Sequence, residues 1–197
     1  MKRQMGLTLV ELTIGLAVGM IVLGTAGTLF ISTLRSNLNA VKQQRFEQSV
    51  QILSNTIAAG VRRAGFSNSV TILPDVAGWT PGVHYYVNGT CMLFTYVDTT
   101  LATPKQQFFG YKLDTTTGIM YSYQSNTLVN CSTTTTWQAL TDPTQIIITE
   151  ASPGTLFSTP ANPRLVEIHL IAEATGLSSG GTPVRREVTT KVFIRNS

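Results

Sequence analysis

Few side chains in this 197-residue sequence can carry acid–base, redox or metal chemistry. Cys91 and Cys131 are the two cysteines, 40 residues apart. His84 and His169 are the two histidines, and neither has Cys or carboxylate neighbours at the short spacings of a zinc site. Glu167 and Glu173 bracket His169 on a strand whose alternation with Ile168 and Leu170 turns the imidazole toward solvent, and such pairs are more often surface charges than acid–base catalysts. No G-x-S-x-G, P-loop or glycine-rich dinucleotide turn occurs. The chain is therefore not expected to be an enzyme, and no cofactor or metal is expected. The most unusual carboxylate is Glu11, which precedes 23 residues without charge, Leu12 to Leu34. A carboxylate costs roughly 2.5–3.5 kcal/mol at a bilayer centre, so a plain anchor has no need of it and a functional role is the default reading.

That uncharged run is the element that positions Glu11. It is long enough to cross a bilayer, which takes about 20 apolar residues. Lys2 and Arg3 precede it, so the positive-inside bias keeps the short N-terminus in the cytoplasm and sends the remainder across. A cleaved secretory signal fits less well, because its apolar stretch is usually 7–15 residues and no small-residue cleavage site follows here. Over the whole chain, charged residues are only 12% and hydrophobic ones 43%, which excludes disorder as a description. The net charge of +4 comes without any basic run longer than two residues, so nucleic acid is not an expected partner.

From Leu34 the apolar residues recur at steps of mostly three and four: Leu38, Val41, Phe46, Val50, Leu53, Ile57, Val61, Ala64. The spacing predicts one amphipathic face and, with no proline before Pro74, one helix from about Leu7 to Arg63, stopping near Gly65. Beyond Phe66 the pattern is of strands. His84–Val87 and Cys91–Val97 flank an Asn88-Gly89 turn; Phe108–Leu113 and Ile119–Tyr123 flank Asp114–Gly118. Ile146–Thr149 is a short strand, and Leu165–Ala172 and Glu187–Arg195 pair across a Gly176–Pro183 loop. Residues 101–106, 132–137 and 152–162 read as loops. A sheet with one apolar face must cover it, and the second half of the helix carries the matching stripe. The expected architecture is α+β: a long N-terminal helix, transmembrane in its first half, packed on one antiparallel sheet.

The run Gly6-Leu7-Thr8-Leu9-Val10-Glu11, behind a basic leader and ahead of an apolar span, resembles the class III signal of type IV prepilins at every position. The resemblance implies a leader at 1–6, a transmembrane and filament-core helix half at 7–34, an amphipathic half at 35–66 and a periplasmic or extracellular β-rich region at 67–197. It implies cleavage by prepilin peptidase between Gly6 and Leu7, and methylation of the new α-amine of Leu7. Glu11 would neutralise that amine, within one chain or between neighbours, as subunits assemble. Gly15 and Gly19 form a small-xxx-small pair suited to close helix contact, although glycine is also common in membrane helices. The helix exit Arg62-Arg63-Ala64-Gly65-Phe66 and the closing Arg195-Asn196 are similar to PilW-type minor pilins, and J-type minor pseudopilins of type II secretion share the plan. Arg62 and Arg63 also suit the helix macrodipole, and Arg195 a sheet edge or solvent position.

The far side of the inner membrane is oxidising, so a Cys91–Cys131 disulfide is the leading reading, worth about 4 kcal/mol for a loop of this size. Two separate thiols are the alternative. Expected partners are prepilin peptidase, other minor pilins and the major pilin, or pseudopilins. The location is the inner membrane before assembly and the pilus afterwards. The leading function is a minor pilin in assembly initiation or a tip complex. The alternatives are a minor pseudopilin and a tip subunit for adhesion or DNA capture.

Overall fold

The structure is a computed structural model describing residues 8–67, 76–80, 82–98, 104–133, 137–150, 155–160, 162, 164–179 and 181–194. Helix α1 runs Leu9–Val61 and is shared by two units, Met1–Lys42 and Gln43–Ser197. In the first unit the helix is apolar all round from Leu12 to Leu34, and its large apolar side chains are exposed. One 18-residue window has a mean hydropathy of 2.1 with none of it buried, so the helix is long and apolar enough to cross a membrane. Its threonines need no outside partner. The hydroxyls of Thr13, Thr25, Thr28 and Thr33 donate to the carbonyls of Val10, Val22, Thr25 and Leu29 at 2.8–3.0 Å. Such back-bonding satisfies a hydroxyl where water is absent.

In the second unit one face of α1 is buried: Phe46, Val50, Leu53, Ser54, Ile57, Ala58 and Val61. Leu34, Leu38 and Val41, expected on this same face, are exposed. The step from Val41 to Phe46 is five residues, a turn of about 140° beyond one revolution at 3.6 residues per turn, so the two series are separate stripes.

The strands form two antiparallel sheets where one was expected. The first has β1 (Tyr85–Asn88), β2 (Cys91–Asp98), β3 (Lys105–Asp114), β4 (Ile119–Ser125) and β5 (Gln138–Ala139) in sequential order. In the second, β8 (Leu165–Ser179) is central, with β6 (Ile146–Thr149) and β7 (Phe157–Ser158) along one edge and β9 (Thr182–Phe193) along the other. The hairpin ends of the first sheet bond to the second: Phe157 N–H donates to Gly89 O at 2.7 Å, and Ile148 N–H to Gly118 O at 2.9 Å. Backbone groups that a single sheet would pair laterally are thus satisfied across two. One core joins both to α1, with Met92, Phe94, Leu113 and Met120 from the first sheet and Ile148, Ile168, Leu170 and Val192 from the second.

Several boundaries differ from expectation. Asn88 pairs with Cys91, so the first turn is Gly89-Thr90 and Asn88 is its last ladder residue. Lys105 and Gln106 belong to β3, and Phe157-Ser158 to β7, inside segments read as loops. The Gly176–Pro183 loop is largely strand, with a register shift between Glu173 and Ser178. Pro183 is tolerated because β9 is an edge strand with only β8 as ladder partner among the described residues.

The contacts of α1 with the sheets are close. Ser54 Oγ and Thr190 Oγ1 share a hydrogen bond at 2.8 Å, and the Tyr111 hydroxyl donates to Thr56 O at 3.3 Å. A Cβ on Gly60 would stand 2.5 Å from the Tyr111 hydroxyl, so this approach requires glycine.

Candidate functional site

Thr8 and Glu11 form a reciprocal cap at the start of α1. Glu11 N–H donates to Thr8 Oγ1 at 3.3 Å, while Glu11 Oε2 accepts from Thr8 N–H at 3.3 Å and from the Thr8 hydroxyl at 3.2 Å. This is a capping box, and its Thr-x-x-Glu spacing was a signal in the sequence that the motif reading passed over. A carboxylate here also suits the positive end of the helix dipole. The cap turns Glu11 back along the chain, toward the peptide that joins Thr8 to Leu7. Gly6 and Leu7 themselves lie outside the described residues. Gly15 and Gly19 follow on the same helix, and a Cβ at either would meet nothing within 4 Å. Among the described residues, nothing packs against their small faces.

At its other end α1 passes into a tight exit. Arg63 N–H and Ala64 N–H bond to the carbonyls three residues earlier, Gly60 and Val61. Ala64 is fully buried, and Gly65 has φ +72°, the left-handed cap conformation that glycine adopts at least cost. Gly65 N–H then donates to Thr95 O at 2.9 Å and Val97 N–H to Phe66 O at 2.8 Å, so the exit lies along β2 beyond the end of β1. The Arg-x-Ala-Gly-aromatic signature thus has a structural basis in a tight turn docked on a strand. Arg62 and Arg63 follow the last helical residue and are exposed. Burial raises the pKa of the Tyr111 phenol, and the nearby Arg63 charge partly offsets this. Arg195 and Asn196 lie outside the described residues.

Cys91 and Cys131 are joined, with Cα atoms 6.0 Å apart. The bond fastens the segment after β4 onto the face of the first sheet opposite α1. There it helps enclose a second small core of Leu93, Tyr123, Val129 and Trp137, with Trp79 packed beside it. Lys112 reinforces the loop: its ammonium donates to Cys131 O at 2.9 Å and Thr133 O at 3.1 Å, and lies 5.5 Å from the Trp137 ring centre. Gly110 is the floor beneath Trp137, since a Cβ there would come within 2.8 Å of the indole. Neither Lys112 nor Gly110 stood out in the sequence, because their roles depend on cross-strand register.

His169 is half-buried and bonds through Nε2 to Glu187 Oε1 at 2.7 Å, while Lys191 pairs with Glu167 at 3.5 Å. The partner of His169 is thus Glu187 on β9, and Glu167 instead pairs with Lys191. Among the described residues no three His, Cys, Asp or Glu side chains converge as metal ligands would.

One long apolar helix, capped by a carboxylate and continuing into an antiparallel α+β region, is the plan of a type IV pilin-like protein. The chain belongs to the family described as prepilin peptidase-dependent protein B, whose model matches residues 39–194. The matched span begins well after the Gly6–Glu11 run, so the signal and the family match are different parts of the molecule. No curated protein and no solved structure matches the chain.

Proposed function

We propose that the chain is a minor pilin of a type IV pilus, acting in assembly initiation or in a tip complex. Prepilin peptidase cleaves between Gly6 and Leu7 and methylates the Leu7 amine. The protein waits in the inner membrane, N-terminus cytoplasmic, and then joins other minor pilins and the major pilin. The observation that carries this reading is the Thr8–Glu11 cap. It holds a carboxylate one peptide from the position where cleavage would create an ammonium group, in a chain whose family description names dependence on that peptidase. In a packed helix bundle a matched charge pair is tolerated, whereas a lone carboxylate or ammonium is costly. Gly15 and Gly19 supply a bare face for a neighbouring helix.

The helix exit Arg62–Phe66 supports a minor class, of which the PilW-type minor pilins are the first reading. A J-type minor pseudopilin of type II secretion is the second, because it shares much of the same plan. Deletion in the native host separates the two. Lost surface pili with normal secretion supports the minor pilin, and retained pili with protein trapped in the periplasm replaces it with the pseudopilin. Complementation with Glu11→Ala should restore cleavage but not pili; normal piliation would sink the charge-pair role.

A further inference from the structure

The face of the first sheet opposite α1 carries a recess of about 320 Å³. Three segments meet there: residues 77–79, strand β1 and the loop stapled by Cys131. Tyr86 and Asn88 point to the same side of β1, across from Leu93 and Cys91. Trp79, Leu128, Asn130 and Ser132 complete the rim. We propose that this recess binds carbohydrate, taking one uncharged hexose unit of a glycan.

The chemistry of the lining selects that ligand. Trp79 and Tyr86 offer ring surfaces for the C–H face of a sugar. Asn88 and Asn130 offer amide donors and acceptors, and Ser132 a hydroxyl, matching ligand hydroxyls that must both donate and accept. No Lys, Arg, Asp or Glu lines the recess among the described residues, so nothing there compensates a phosphate or carboxylate. The volume is near the lower end of small-ligand sites, about 300–1,000 Å³, which suits one ring rather than a bulky cofactor. The site is also built in advance. The disulfide and the two Lys112 hydrogen bonds hold the loop in place, so binding need not order it. A different recess, between α1 and the inner face of the same sheet, carries Arg63 and five aromatic residues, and it serves as an internal control.

The proposal does not rest on the pilus reading, because it is tested on the purified full chain in a sugar-free zwitterionic detergent. The probes are immobilised neutral, sialylated and sulfated glycans, followed by titration with methyl glycosides of the neutral hexoses. Neutral glycans are expected to bind. Tyr86→Ala and Asn130→Ala should each weaken binding tenfold or more, reduction of the disulfide should do the same, and Tyr96→Ala in the other recess should leave affinity unchanged. Tyr86 is 36% exposed and can be truncated without opening the core, whereas Trp79 packs on buried residues. A circular dichroism melt matching the parent shows that each variant is folded. No binding of any neutral glycan, a preference for the acidic ones, or full affinity in folded Tyr86→Ala would overturn the proposal.

Discussion

Leu16, Leu23 and Phe30 expose 58%, 74% and 69% of their surface, whereas Val50, Ile57 and Val61 on the same helix expose 1% or less. The two stretches have the same backbone and opposite side-chain logic. In Gln43–Val61 the large apolar residues apart from Ile52 occupy one face, and the chain itself covers them. From Leu12 to Leu34 they surround the axis and stay exposed among the described residues. The first stretch satisfies its hydroxyls on its own backbone; in the second, Ser54 reaches across to Thr190. The difference teaches that one continuous helix can be written for two solvents. A helix that is apolar all round needs lipid or other helices, and a helix apolar on one face needs a sheet.

Four perturbations break or sharpen that contrast. The largest is in the head, the unit Gln43–Ser197: replacing both Cys91 and Cys131 with Ser should cost about 4 kcal/mol in thermal or denaturant unfolding, by the loop-closure argument. The same pair of changes should leave membrane extraction of the chain unaltered. Next comes a matched pair of charges. Leu23→Lys should cost roughly 2.5–3.5 kcal/mol of membrane insertion, read in a translocon assay. Ile52→Lys, at a residue 65% exposed, should move head stability by no more than about 0.5 kcal/mol. Equal effects at the two positions would erase the two-solvent distinction. Third, Gly60→Ala should destabilise the head by roughly 1–3 kcal/mol through overpacking against Tyr111, whereas Gly19→Ala should leave the melt unchanged because a Cβ there meets nothing.

The smallest effect is electrostatic and confined to the head. The Thr116 N–H bond foremost, with help from Thr117, holds the Asp114 carboxyl below its ordinary value, and the Thr144 hydroxyl and N–H do the same for Asp142. A depressed folded-state value means that the ionised form stabilises the fold. That contribution is present above the unfolded carboxylate value of about 3.9 and is lost as pH falls through the folded one. Asp142 is exposed and Asp114 only partly covered, so the melting temperature of the head should drop only slightly in this acid range. Asp114→Asn with Asp142→Asn should flatten that part of the profile, and an unflattened profile would assign the acid sensitivity to other groups.

The parts legible in sequence were those with a strong local signal. The long helix, both hairpins and the cysteine pair follow from periodicity, turn residues and compartment. The two-residue strands β5 and β7 have no period to detect, and they exist because longer neighbours offer an edge. The two sheets are joined by backbone bonds from Phe157 to Gly89 and from Ile148 to Gly118, contacts that no composition announces. The misassigned stripe of Leu34, Leu38 and Val41 shows the limit of counting steps of three and four without tracking the accumulated rotation. At the candidate site, Glu11 stood out by its apolar setting, but its cap with Thr8 was hidden by the motif containing both. Lys112, Gly110 and the Trp79–Asn130 recess depend on register and loop closure, which spacing alone does not supply.

The Cys91–Cys131 bond also has a mechanical consequence. If a subunit is pulled while it sits in a fibre, tension travels along the covalent path, and that path now short-circuits the 40-residue interval between the cysteines. At about 3.3–3.6 Å per extended residue, roughly 130–140 Å of slack is withheld from any stretched state. Asn130 lies inside the protected interval, one residue before its closing cysteine, so it stays outside the load path even when the strands around it yield.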